Sequence, residues 1–389
     1  MSGGGGSGRA LAPERFAERL DGAARLVREG GHAALLVGVG PDLRYLVGYD
    51  AMPLERLTLL VVTPGGPPSM VAPRLELAPA RLAPAVAAGL VQMIGWDETD
   101  DPHGLVADLV RGGGGRGSIP VSDQLIALHL LKLQARLPGV AFVSGSAVMR
   151  PLRIVKHRDE IEILRRAAAA ADRVVDRIAG GRLIGRTEAD VSREVRELLV
   201  EEGHQSALFA IVASGPNAAS PHHAASDRVI RSGDAIVLDI GGSLDGYASD
   251  TTRTLWVTGG DPAHRPDQEF LRLFSILQAA QAEATHAVRP GVSAERIDAV
   301  AREIITAGGH GPHFFHRVGH GIGVEGHEDP YLVAGNAEPL AEGMAFSIEP
   351  GIYLEGRYGA RIEDIVVCGP DGPDPLNRSS RELRVVDGR

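Results

Sequence analysis

One cysteine, Cys368, stands in a chain of 389 residues, so an intrachain disulfide framework is excluded and a reducing compartment is expected. Its setting, "IVVCG", is that of a buried strand residue and not of a nucleophile. Excess positive charge is missing too. The formal charge is -10, which argues against nucleic-acid or anionic-membrane binding driven by a basic surface. No apolar run reaches the roughly 18 residues that a membrane-spanning helix needs. The opening "MSGGGGSGRALAP" has neither a basic nor an apolar signal region, so residues 1–12 read as a flexible tail and the cytoplasm is the expected location.

The length fits two domains, each able to bury a core of its own. Over residues 13–150, helix-like stretches such as "ERFAERLDGAARLVREGG" alternate with short apolar strands, "AALLVG", "LTLLVVT", "PSMVA" and "VAFVSG". That alternation predicts a small N-terminal α/β domain around a mixed sheet. It holds few clustered acids or histidines, so no chemistry is expected of it. The second domain, residues 151–389, opens with a helix from about Asp159. There Ile161, Leu164, Ala168, Ala171, Val175 and Ile178 recur at intervals of three and four until Gly180 stops it. An internal duplication follows. A helix, the capped helix of "GRTEADVSREVRELLVEEG" and two strands around "AIVLDIGGSLDGYASDTTRTLWV" are echoed later in the chain. The echo is a helix over about 268–288, "GVSAERIDAVAREII" and two strands around "MAFSIEPGIYLEGRYGARIEDIVVC". Two such halves would bring their hairpins together at a pseudo-twofold axis.

Each hairpin carries two acids among apolar residues: Asp239 and Asp250 in the first, Glu349 and Glu363 in the second. Burying an unpaired carboxylate there costs several kcal/mol, so the four need a common compensating charge. Arg253 and Arg361 could pair with two of them. Two arginines cannot neutralise four acids, and the glycine-rich "FFHRVGHGIGVEGHEDP", with His316, His320 and His327, would stay unexplained. Two divalent ions held by Asp239, Asp250, His320, Glu349 and Glu363 resolve both difficulties. Oxygen donors with one imidazole suit Mn²⁺ first, with Co²⁺ or Zn²⁺ also compatible. Such a pair acidifies a bridging water and stabilises the oxyanion formed at a carbonyl, which is hydrolase chemistry. Strand alternation places Asp364 on the opposite face from Glu363, as a structural acid. Tyr247, three residues before Asp250, is either a donor to a ligand carboxylate or a packed aromatic. His204, His223, His310 and His313 read as surface or supporting groups.

The stretches "PHHAASD", "VLDIGG", "SDTTRT", "HRVGHGIGVEGHEDP", "SIEPGIY" and "RIEDIVV" resemble, in order, the pita-bread metallopeptidases. That family contains Xaa-Pro dipeptidase (prolidase), aminopeptidase P and methionine aminopeptidase. The upstream "GPDLRYLVGYD" and "RIVKHRDEIEILRRAA" resemble the amino domain and linking helix of the proline-directed members. The resemblance implies the pseudo-twofold creatinase/aminopeptidase fold for the second domain and a homodimer. It also implies metal binding by the same five residues, and action on short proline-containing peptides. It further assigns His222 to the neighbourhood of the scissile amide and His327 to the tetrahedral intermediate. His316 falls to the substrate pocket, Arg361 to the substrate side as an arginine supporting the metal ligands, and Glu349 to accepting the proton of the attacking water.

One departure bears on specificity. Prolidases resembling this chain hold a dipeptide's carboxylate with an arginine after the His327-like histidine, and here Tyr331 fills one such position. The stretch Glu328 to Ile348 has no arginine or lysine. Longer Xaa-Pro peptides are therefore admitted as substrates. The competing expectations are a creatinase-like hydrolase and a peptide-binding module of the same fold without catalysis.

Overall fold

The computed structural model describes residues 11–389, which fall into two compact units, one ending at Arg153 and the other Ile154–Arg389. The tail expected over residues 1–12 lies, as far as residue 10, outside the described residues. In the first unit six strands form one sheet in the spatial order Gln92–Trp96, Ser69–Pro73, Leu59–Val62, Leu35–Gly38, Ile119–Val121 and Phe142–Ser144. Leu35–Gly38 runs antiparallel to Leu59–Val62 and parallel to Ile119–Val121, so the sheet is mixed. Every residue of Leu35–Gly38 is buried, as expected of a strand covered on both faces. Helix Pro13–Glu29 supplies Phe16, Leu20, Ala23 and Val27, while Val106, Val110 and Leu133 come from two later helices. Two strands escaped the sequence pattern. Gln92–Trp96 is half exposed along its length, and Ile119–Val121 is three residues with a central Pro120.

The second unit repeats an order of elements. Helices Arg158–Ala179 and Glu188–Glu201 precede strands Ser206–Ser214, Ala235–Leu244 and Thr251–Val257; helices Gln268–His286 and Ala294–Ala307 precede Gly319–Gly321, Ala345–Ile348 and Asp364–Cys368. The first helix begins at His157 and Glu160, which form a capping box, and ends at Gly180. Its Ile163, Leu164, Ala167, Ala171, Val175 and Ile178 face inward, and full burial of each larger aliphatic contributes about 1.5–3 kcal/mol. Each half closes its own core. Val174, Val191, Leu238 and Leu255 meet in the first; Phe270, Leu277, Ile297, Phe346 and Val366 meet in the second.

Strands Ala235–Leu244 and Thr251–Val257 pair antiparallel, with Asp239 opposite Thr252. Ala345–Ile348 pairs with Asp364–Cys368, and a two-stranded hairpin, Gly351–Leu354 with Tyr358–Arg361, leads from Glu349 to Glu363. An isolated antiparallel bridge between Thr252 and Glu363 ties the two halves together. Thr252 thereby stands between Asp239 and Glu363, and the acids of both hairpins converge.

Candidate metal centre

The five residues singled out from the sequence come together. Potential ligand atoms of Asp239, Asp250 and Glu363 lie within 4.8 Å of one another, as do those of His320, Glu349 and Glu363. A third such group is Asp250, His320 and His327. Arginine pairing does not account for the acids. Arg253 pairs instead with Asp364 at 2.8 Å, and Arg381 and Gln281 also bind that carboxylate, so Asp364 is the structural acid that strand alternation implied. Arg361 meets Asp239 Oδ2 at 2.5 Å, donates to the Tyr353 hydroxyl at 2.8 Å and reaches Thr252 Oγ1 at 3.1 Å. Buried oxygens remain without a hydrogen-bond partner at Asp239 Oδ1 and Glu363 Oε1. Such orphans carry a desolvation penalty that a cation would remove.

The titration of the acids has the same cause. Burial pushes Asp250 and Glu363 well above the usual carboxylate range, and the negative charges around them, Asp239 on Asp250 and Asp250 on Glu363, push further. Burial also works against a charged Glu349, but the hydrogen bond from His320 holds it at about 2. His320 is itself raised above 6.5, because Glu349 outweighs the effect of burial.

Carbonyl partners fix the histidine tautomers. His320 Nδ1 faces the Gly321 carbonyl at 3.2 Å and so carries a proton, while Nε2, 3.1 Å from Glu349 Oε1, holds either a second proton or a metal ion. Two acceptors that close require a proton or a metal ion between them. His316 Nδ1 donates to the Arg317 carbonyl at 2.7 Å, and its Nε2 accepts from Tyr353 at 3.0 Å. Both nitrogens of His316 are engaged by the protein, so it serves the cavity as wall and not as a donor. Close approach explains the glycines. A Cβ on Gly319 would collide with the Ser347 carbonyl and one on Gly321 with the Asp329 carbonyl.

A cavity of about 790 Å³ opens on these groups. Its walls include His222, His316, His320, His327 and the apolar Phe209, Ile211, Phe315 and Val333. Tyr331 does not line it. Arg317 does, with its guanidinium 4.3 Å from the Tyr331 ring and Nη2 3.3 Å from His327 Nδ1. Arg317, beside His316 in the same loop, is a cation before His327, whereas the stretch Glu328 to Ile348 after it has none. An arginine only donates, so His327 Nδ1 is the acceptor and its proton sits on Nε2. Burial lowers the His327 pKa to about 4, so the ring is neutral near pH 7. It stacks on His320 with centroids 3.7 Å apart.

Sequence reasoning passed over Thr252, whose hydroxyl donates to Glu363 Oε2 at 2.7 Å, and Tyr353, whose hydroxyl links Arg361 to His316. Tyr247 donates to buried Glu160 at 2.8 Å, on the opening turn of the long helix. His204 is buried between the Leu199 carbonyl and the Ser249 hydroxyl.

Residues 162–370 match the model of metallopeptidase family M24, and residues 19–155 match the creatinase/prolidase N-terminal domain. A probable dipeptidase PepE of Mycobacterium tuberculosis is 47% identical over 96% of this chain and 97% of its own. An Xaa-Pro dipeptidase of Lactobacillus helveticus is 34% identical over 88% of this chain and 92% of its own. Among solved structures, dipeptidase PepE from Mycobacterium ulcerans matches with a TM-score of 0.89 at 46% identity, covering 97% of this chain and 100% of that one. A recombinant prolidase from Thermococcus sibiricus matches with a TM-score of 0.88 at 33% identity, covering 97% of this chain and 100% of that one.

Proposed function

The chain belongs to metallopeptidase family M24, and on that premise we propose that it hydrolyses the Xaa-Pro bond of dipeptides and short peptides. In this proposal Asp239, Asp250, His320, Glu349 and Glu363 hold two divalent ions, Mn²⁺ before Co²⁺ or Zn²⁺. The observation that carries it is the convergence of four acids in two overlapping groups that share Glu363, with Arg361 as their only side-chain arginine partner among the described residues. When bound, the ions supply an acidified water and charge compensation at the substrate carbonyl. A peptide-binding module without catalysis would have no use for two buried carboxylate oxygens left unpaired.

The protein's own groups divide the remaining work. Glu349, held as a carboxylate, accepts the proton of the attacking water. His327 presents Nε2–H toward charge that develops on the carbonyl oxygen, and His222 lines the same cavity. Phe209, Ile211, Phe315 and Val333 offer apolar walls to a proline ring, whose tertiary amide has no N–H to satisfy. Arg317 is the cation for the substrate's carboxylate: among the described residues, no acid lies within ion-pair distance of it. Dipeptides are accordingly the preferred substrates, in contrast to the wider range admitted from the sequence. Residues 13–150 act as the amino-terminal domain and 151–389 as the catalytic domain. We assign the protein to the cytoplasm as a homodimer, on the family resemblance and a free, buried Cys368. Turnover of Ala-Pro, Ala-Pro-Ala and Ala-Ala by apoenzyme reloaded with each metal tests the proposal; cleavage of Ala-Ala in preference to Ala-Pro would remove its proline specificity.

A further inference from the structure

Glu188 opens the helix Glu188–Glu201, and its side chain is wholly buried without an arginine or lysine partner among the described residues. Its Oε1 accepts from the Ser214 N–H at 2.8 Å, the Ser214 hydroxyl at 2.7 Å and the Asn217 amide at 3.1 Å. Its Oε2 accepts from Asn217 at 3.1 Å, His223 Nε2 at 2.8 Å, and the Ser226 N–H and hydroxyl at 3.1 and 2.6 Å. Every one of these donors lies in the segment 214–226, the end of strand Ser206–Ser214 and the first part of its connection to Ala235–Leu244. The middle of that segment supplies Ser220, Pro221 and His222 to the cavity wall. On the cavity side, among the described residues, a single bond, from Arg361 Nη2 to the Pro221 carbonyl at 3.3 Å, holds it. On the back, the Ala189 N–H donates to the Ser226 carbonyl at 3.0 Å and Arg228 to the Ser214 hydroxyl at 2.6 Å, but the largest share of the bonds converges on the Glu188 carboxylate. Burial opposes its charge, but the Ser226 and Ser214 donors prevail and hold the pKa at about 2.

We propose that Glu188 is the positioning residue of the His222 loop, fixing that histidine against the cavity while touching neither substrate nor metal. The part played by His222 rests on the peptidase reading above; the anchoring rests on the hydrogen bonds alone. A carboxylate is required because all the surrounding groups donate. A glutamine would turn an N–H toward donors on one side, leaving those groups buried and unpaired.

The test is a double-mutant cycle on metal-loaded enzyme with Ala-Pro as substrate, joined to hydrogen exchange of the loop read by mass spectrometry. Glu188→Gln is expected to lower kcat/KM tenfold or more with the metal content of the parent. In the His222→Ala background the same change is expected to cost less than about twofold, because its effect runs through His222. Exchange over 214–226 should accelerate in Glu188→Gln while helix Gln268–His286 keeps its protection. Equal losses in both backgrounds, or unchanged exchange in the loop, overturn the proposal. If Glu188→Gln does not fold, Ser226→Ala, which removes one donor, enters the same cycle with a loss of about threefold expected, and additivity there overturns it equally. Wild-type enzyme that cleaves no Xaa-Pro peptide overturns the peptidase reading and the role of His222 with it, whereas the exchange result then judges the anchoring alone.

Discussion

Arg317→Gln separates recognition of a substrate's carboxylate from the chemistry at its amide. The wild-type guanidinium touches the His327 ring nitrogen at 3.3 Å and stacks 4.3 Å from Tyr331, and neither partner is an acid. Losing the stacking contact costs about 0.5–1 kcal/mol at a partly exposed site, so the variant should fold. Losing a charge-assisted hydrogen bond to a carboxylate costs about 1.5–3 kcal/mol, which corresponds to about ten- to a hundredfold in kcat/KM. The assay compares Ala-Pro with Ala-prolinamide, which differ only in the carboxylate. Wild-type enzyme should favour Ala-Pro at least tenfold, and the variant should bring the ratio close to one, mainly through KM for Ala-Pro. The ratio is the readout because Arg317 also donates to His327, so some loss of kcat is expected on both substrates. An unchanged ratio in the variant, or a wild-type enzyme indifferent to the amide, would refute the assignment.

Asp250→Asn should lose at least one metal ion with the fold retained, measured by elemental analysis and circular dichroism; full occupancy would remove Asp250 from the ligand set. His327→Ala should lower kcat a hundredfold or more while keeping both ions, since the ring meets charge that forms only after attack; loss of metal would instead make it a ligand. Glu188 has a folded pKa of about 2 against an ordinary 4.5, so its contribution to stability is present above pH 4.5 and lost as pH falls toward 2. The shift corresponds to about 3 kcal/mol, and thermal melts between pH 5 and 2 should show a shallower decline in Glu188→Gln than in the wild type. Parallel declines would contradict that pKa.

The four acids and His320 were legible because their residue types are costly where the pattern puts them. Four carboxylates in apolar strands demand compensation whatever the tertiary details. Asp364 could be set aside by alternation alone, and its pairing with Arg253 and Arg381 agrees. Arg317, Thr252, Tyr353 and Glu188 were not legible in this way. Arginine beside a histidine, threonine in a strand and glutamate at a helix start are each ordinary locally. Their roles arise from pairings across about 110 residues for Thr252 with Glu363, and across the whole 214–226 loop for Glu188. Tyr331 shows the converse: its position in the chain suggested substrate contact, whereas the side chain lies beneath Arg317 and the cavity wall passes to Val333.

Stepwise reloading of metal-stripped enzyme with Mn²⁺, with ions per chain and Ala-Pro turnover measured on the same samples, tests the metal centre most directly. Turnover should be absent in the stripped protein and reach its maximum at two ions per chain. Full turnover by protein shown by elemental analysis to carry no metal would contradict it.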